Sequence, residues 1–448
     1  MNELIRIEFN LISKTKLYFG SNEQGMLMKD SDDKPFIMGS SIGGCIKSYL
    51  KSIKNSNINI DYYFGGESNE KVFSESKLTI YDAEIIKKDS DTLVGIKEGT
   101  RINAVRGVAE DSNKYTTEYL LKDTNIVVAM EIELLGDQSR QDEFYNLMEI
   151  IRIGFEKELL RLGGQINSGF GKMKIDNITV KTVNLANENE LIDYLLYKKY
   201  KEDKITSFAF SNNQYNNFVK HKLIFKLEGS FPYGVYQHFD CKDKKSITGI
   251  QKEDDIYYIP SSSIKGLMRN ELEKLLNSSL INENLKSKCV STIFGSTDTK
   301  GAGVFQDILI DNAKIIKDNG KVEDNFTTYN KIDRLTGGSF NSALMKQRDI
   351  RGNAIISFEL DRERTLEYIY PLLIILRDIA WGIIPIGGRT SIGLGEFYGT
   401  SIKLEDTKGE YNLNITVNKK KDVQKNEVVF KDNSKNNIER LKEKFNNL

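Results

Sequence analysis

Ile37-Met38-Gly39-Ser40-Ser41-Ile42-Gly43-Gly44 is matched later in the chain by Ile259-Pro260-Ser261-Ser262-Ser263-Ile264-Lys265-Gly266. Gly163-Gly164-Gln165-Ile166-Asn167-Ser168-Gly169-Phe170-Gly171 returns in the same way as Gly387-Gly388-Arg389-Thr390-Ser391-Ile392-Gly393-Leu394-Gly395. Between these landmarks lie two more pairs in the same order: Phe64-Gly65 with Phe294-Gly295, and Arg101 to Gly107 with Lys331 to Gly337. Four landmarks in one order, each displaced by about 220 to 230 residues, indicate two copies of one module.

Hydrophobic periodicity gives each copy the same order of elements. Ile5, Ile7, Phe9 and Leu11 alternate with polar neighbours, as do Leu223, Phe225 and Leu227, the period of a half-buried strand. Ile42, Ile46, Tyr49 and Ile53 fall at helical spacing, and so do Ile264, Met268, Leu272 and Leu276. Both helices follow serines, which predicts serine N-caps. Strands are expected at Lys77–Glu84 and Ile126–Leu135, and at Gly303–Leu309 and Ala354–Leu360. Longer helices follow, one carrying Phe144, Leu147, Met148, Ile151 and Phe155, the other running from Leu366 to Trp381 with Pro371 near its start. Closing strands come after the glycine loops. The fold class is α+β: two tandem ferredoxin-like or RRM-like βαββαβ modules with long insertions, each offering one open sheet face of the kind RNA uses as a platform. The expected limits are 1–185 for the first module, 186–215 for a connector, 216–405 for the second module and 406–448 for a polar tail.

The 64 basic and 64 acidic side chains cancel, so any polyanion must be met by local patches. The three cysteines Cys45, Cys241 and Cys289 lie far apart, which argues against a disulfide framework or structural zinc. There is no apolar signal core and no run of about 18 apolar residues, so a soluble cytoplasmic protein with no membrane partner is expected.

At Ser261 to Gly266 a lysine sits in the first turn of a helix, where the macrodipole disfavours a cation; a bound phosphate removes that conflict. The glycine loops run from helix to strand, the reverse of Walker A and Rossmann phosphate sites, and no G-K-[ST] is present. What remains is a backbone surface able to approach a polynucleotide, with Lys172 and Arg389 at hand. The segments after Arg101 and Lys331 read as protruding hairpins with cations and an apolar tip. The histidines are His221 and His238, and nothing marks a nucleophile beside either. Acidic residues crowd the loop before the second serine helix, at Asp240, Asp243, Glu253, Asp254 and Asp255, where a carboxylate beside a phosphodiester could hold Mg2+ or orient a ribose hydroxyl.

Together, Pro35 to Ile42, Tyr258 to Gly266, Ile293-Phe294-Gly295-Ser296, Ile332 to Gly338 and the two glycine loops resemble the RAMP superfamily of CRISPR effector proteins, specifically a tandem form of the backbone subunit of type III complexes. The resemblance implies a subunit that binds CRISPR guide RNA beside other type III subunits, with thumb hairpins that wedge between guide and complementary target RNA. It implies RNA contacts by Ser40, Ser41 and Lys47 in the first serine helix, and by Ser262, Ser263, Lys265 and Arg269 in the second. It further implies contacts by Arg101, Arg106, Lys331 and Arg334 at the hairpins, and by Gly169, Lys172 and Arg389 at the glycine loops. It also implies Mg2+-dependent cleavage of target RNA by the second copy, an endoribonuclease step carried by Asp243, with Asp240 in reserve. The first copy has Gln24 about where that aspartate falls and Asp30 further on, so it is expected to bind without cutting. A non-cutting backbone subunit and a guide-RNA processing endoribonuclease are the alternatives, the latter disfavoured by the shortage of histidines.

Overall fold

The computed structural model describes residues 2–448 except 22, 24, 54–57, 68–72, 87–92, 103–108, 136–137, 206–207, 209–219, 238–246, 254–255, 280–281, 312–325 and 421–424. The chain divides into two compact units, Met1–Lys220 and His221–Leu448.

In the first unit the opening strand Asn2–Ser13 lies between the closing strand Met173–Asn184 and a third strand Asn125–Leu135, and Leu78–Ile80 follows beyond the third. All these pairs are antiparallel, and the spatial order closing, opening, third, second is that of a ferredoxin-like sheet. Alternation decides the faces. Ile5, Ile7, Phe9 and Leu11 are buried, as are Ile42, Ile46 and Leu50 of the helix Gly39–Ser52 and Phe144, Leu147, Met148 and Ile151 of the helix Gln138–Glu156. These side chains form one core.

The second unit repeats the plan. Its opening strand Lys222–Val235 lies between Tyr398–Asp406 and Ile350–Asp361, with Ile308–Asp311 beyond the latter. The helices Ser261–Asn277 and Ile369–Ala380 bury Ile264, Met268, Leu272, Leu376 and Ile379 in its core. Pro371 occupies the first turn of its helix, where a missing N–H removes no helical bond. The two tandem ferredoxin-like modules are therefore present.

The structure adds to this plan and departs from it in places. Each second strand is broken, into Leu78–Ile80 and Glu84–Ile86 in one unit and Gly303–Phe305 and Ile308–Asp311 in the other. The helices Ile60–Phe64 and Glu283–Phe294, which periodicity did not reveal, end on the repeated Phe-Gly pairs, whose glycines take φ of +68 and +91. Between second and third strands each unit inserts a hairpin: Val94–Ile102 with Ala109–Leu120, and Phe326–Ile332 with Ser339–Arg348. Part of the segment 186–215, read as a connector, belongs to the first unit's architecture, because it holds the helix Glu188–Tyr197 and a strand, Lys201–Ile205, that extends the sheet beside Met173–Asn184.

The polar tail is packed onto the second unit. Leu413–Asn418 and Glu427–Lys431 continue the second sheet, and the helix Ser434–Asn446 places Leu441 and Phe445 in the core. Its polar majority hides a stripe at helical spacing. Leu441 is 0% exposed, so Leu441→Ala is expected to lower unfolding free energy by about 2–5 kcal/mol, read from urea denaturation. A detached tail predicts no change.

Candidate nucleic-acid interface

The sheet faces turned away from the helices carry internal ion pairs. In the first unit Arg6 pairs with Glu8 at 2.8 Å, and Lys181 with Glu8 at 3.0 Å and Glu202 at 3.3 Å. Tyr81 and Tyr200 donate to Glu131 at 2.9 and 3.4 Å. In the second unit Lys403 and Ser401 both reach Glu228, at 2.7 and 2.9 Å, and Lys222 pairs with Glu359 at 3.3 Å. A face laced with internal ion pairs has fewer cations to offer phosphate, and Tyr81 and Tyr200 spend their hydroxyls on a carboxylate. The loops at the strand ends are the better candidates.

The serines do not cap their helices. Met38 and Pro260 are the N-cap residues and make no side-chain cap bond; the serines fall inside the first turn. An aspartate from the broken second strand does the capping. The N–H of Gly39 donates to Asp82 Oδ1 at 2.8 Å, and the N–H of Ser261 to Asp307 Oδ1 at 2.7 Å. Both breaks in the second strand therefore carry the residue that reaches the helix. Because a carboxylate already meets the first turn, the negative partner expected there is in part supplied by the protein. Ser263 Oγ accepts from Gln237 Nε2 at 2.9 Å, while Ser40, Ser41 and Ser262 make no side-chain hydrogen bond among the described residues.

Lys47 and Arg269 hold equivalent places one turn further on, and both are engaged by the protein. Lys47 donates to the carbonyl of Gly65 and Arg269 to that of Gly295, the latter at 3.2 Å, so each cation fastens the repeated Phe-Gly corner to its serine helix. Lys265 differs. It is half-buried and has no hydrogen-bond or ion-pair partner among the described residues; burial, and then the charge of Arg269, push its ammonium below the ordinary lysine value.

The two glycine loops have one conformation. Gly163, Gln165, Gly169 and Gly171 take φ of +84, +53, +83 and +87, and Gly387, Arg389, Gly393 and Gly395 take +93, +56, +88 and +82. Each loop contains one 3-10 turn, Ile166–Ser168 or Thr390–Ile392. Its amides are partly spent on the chain leaving the opening strand: Gly164 and Gly388 donate to Tyr18 and Tyr236 at 2.7 Å. Gly169 is buried, so its value is conformational. Lys172 shares Glu158 with Lys14, at 2.8 Å from each. Arg389 turns toward the hairpin, with its guanidinium 4.1 Å from the ring centre of Tyr329 and 5.4 Å from that of Tyr236.

The second hairpin presents what its sequence suggests. Asp333 closes the turn by accepting from the N–H of Leu335 at 2.9 Å and the hydroxyl of Thr336 at 3.0 Å. Lys331 and Arg334 are exposed beside Ile332, Phe340, Leu344 and Leu335, the last 95% exposed. In the first hairpin Arg101 lies on the strand Val94–Ile102. Gln24, Arg106, His238, Asp240, Asp243, Asp254 and Asp255 lie outside the described residues. Among the described residues no group of three His, Cys, Asp or Glu side chains gathers as a metal site.

The structure therefore brings Ser263, Arg389 and the hairpin root of the second unit together through Tyr236, Gln237 and Tyr329, three residues that sequence reasoning did not select. Asp82 and Asp307 were also missed, although they recur at the spacing of the other repeats. Replacing either by Ala is expected to cost about 0.5–2 kcal/mol, as for loss of an N-cap, measured by chemical denaturation.

Glu158 is one carboxylate whose pairing makes the fold acid-sensitive. Burial alone raises its pKa, but hydrogen bonds from Lys14 and Lys172 outweigh this and hold it at about 2, below the usual 4.5. A carboxylate with a depressed folded value stabilises above its unfolded value and loses that contribution as pH falls through the folded one. Between pH 4.5 and 2, wild-type stability should fall more steeply than that of Glu158→Gln, a difference read from urea midpoints.

No described helix is long and apolar enough to cross a membrane. A comparison with curated proteins returns no match. A family model of the RAMP superfamily matches residues 10–174 and again residues 247–398, one match in each unit and together more than half of the chain. With its twofold ferredoxin-like architecture, the chain belongs to the RAMP superfamily, as a tandem member of a family of CRISPR-associated RNA-binding subunits.

Proposed function

We propose that this protein is a guide-RNA-binding backbone subunit of a type III CRISPR complex, and that its second unit cuts complementary target RNA with the help of Mg2+. The observation that carries the reading is the second hairpin, whose tip combines Lys331 and Arg334 with exposed Ile332, Leu335 and Phe340. Cations beside exposed apolar side chains on a protruding ribbon suit a partner with a charged backbone and stackable bases. Lys265 supports the same reading, because a half-buried ammonium near the N-terminus of a helix is relieved by an incoming anion.

Cutting is assigned to Asp243, with Asp240 as the second candidate. The residue would hold the metal ion or position the ribose hydroxyl that attacks the neighbouring phosphate. The first unit, with Gln24 at the corresponding place, binds only.

The test uses the complex purified with its own RNA. Repeat-derived RNA is expected in it, and adding complementary RNA with Mg2+ should give cleavage that Asp243→Ala lowers by about 10²-fold or more, the scale of a positioned acid–base group. Absence of repeat-derived RNA sinks the family role. Intact target with wild-type protein leaves a non-cutting backbone subunit, and full cleavage by both Asp243→Ala and Asp240→Ala refutes the site assignment. Lys331→Ala with Arg334→Ala should weaken RNA binding and reduce its salt slope by about 1.4, at about 0.7 per phosphate contact on a single strand, measured by a titration series in KCl.

A further inference from the structure

Both units tie the hairpin to the glycine loop, but with different residues. In the first unit Phe170 of the loop meets Tyr119 of the hairpin edge-on, with ring centres 5.9 Å apart. Lys97 of the hairpin lies 5.7 Å over Phe170. In the second unit Arg389 makes the joint among the described residues. Arg389 reaches from the loop to Tyr329 on the strand Phe326–Ile332, stacking at 4.1 Å and donating to its hydroxyl, and remains within 5.4 Å of Tyr236. Tyr236 is itself fixed to the loop, because its carbonyl accepts from Gly388 at 2.7 Å.

We propose that Arg389 is a positioning residue that locks the second hairpin to its glycine loop, and not a ligand of RNA phosphate. A guanidinium within about 6 Å of two ring centres and bonded to one hydroxyl has its plane and charge directed into the protein. The consequence for RNA rests on the function proposed above: the hairpin angle is set before the strand arrives. The joint itself does not depend on that reading.

Arg389→Gln is the informative variant, since the first loop carries Gln165 at φ 53 where the second carries Arg389 at φ 56, so the backbone accepts the exchange. Two measurements on the full chain decide the matter. In the free protein, backbone hydrogen exchange across Phe326–Ile332 and Ser339–Arg348 should quicken about tenfold or more in Arg389→Gln, because the local opening free energy falls. Arg389→Lys should not restore protection, since an ammonium lacks the planar fork. Tyr329→Phe, which keeps the ring and loses the hydroxyl, should quicken exchange less than Arg389→Gln. The salt slope for an unstructured single-stranded RNA should be unchanged by Arg389→Gln. Unaltered exchange overturns the proposal. So does a slope reduced by about 0.7 and restored by Arg389→Lys, the signature of one phosphate contact. If the protein binds no RNA, the functional reading fails while the exchange result still decides the joint.

Discussion

In each unit the chain leaving the second helix must pass the chain leaving the first strand more closely than a β-carbon permits. A β-carbon on Gly163 or Gly387 would stand 2.5 Å from the carbonyl oxygen of Tyr18 or Tyr236, inside any tolerable contact. With glycine there, the next N–H reaches that carbonyl, and Gly171 and Gly395 close the loop onto Lys16 and Gly234 at 2.9 and 2.8 Å. Two elements remote in sequence are thereby joined at one end of the sheet. In the second unit the serine helix reaches the same corner through Gln237 and Ser263, and the hairpin through Tyr329 and Arg389. The candidate interface exists because that crossing is tight.

Charge is distributed to match. Neutral composition conceals a separation between cations consumed by the fold and cations left at the loop end. Lys181, Lys403 and Lys222 are paired across the open sheet faces with carboxylates on neighbouring strands, and Arg6 with Glu8 on its own strand. Lys47 and Arg269 are spent on glycine carbonyls, and Lys172 on Glu158. Lys265 has no such partner among the described residues, and Lys331 and Arg334 stand exposed at a hairpin turn. A polyanion approaching this unit therefore meets positive charge at the hairpin and serine helix, as well as at exposed Lys226 on the sheet.

The architecture was legible because it is written in periodicity and written twice. Ile5, Ile7, Phe9 and Leu11 declare a strand by alternation, and the repeat supplies an independent second copy. The terminal helix was harder to read. Its few core residues are diluted by lysine, glutamate and asparagine, so composition suggested a solvated segment while Leu441 and Phe445 were packing. The serine caps were misread for a local reason: serine before an apolar run is a good cap signal, but here Met38 and Pro260 enter the helix and an aspartate from a distant strand takes the carboxylate role. Long-range capping leaves no trace in a short window. Roles assigned to Lys172, Lys47, Arg269 and Arg389 failed to anticipate their partners for the same reason, since spacing shows where a cation is and not what it already holds.

Comparing the copies separates what the backbone demands from what the surface is free to vary. Gly163 and Gly387, Gly171 and Gly395, Gly65 and Gly295, and Asp82 and Asp307 are the same residue types in both units, and each sits where a positive φ, a close approach or a helix end admits few alternatives. Gly43 against Lys265 and Gln165 against Arg389 are different at matched backbone positions. None of the side chains of Lys265, Gln165 and Arg389 is needed to hold the shared chain path, because the other copy follows that path without it. Lys265 and Arg389 are thus additions to a frame already complete, and both fall in the second unit, where Arg389 touches the hairpin. They are side-chain differences on a shared chain path, in addition to the elements that each unit adds to that path.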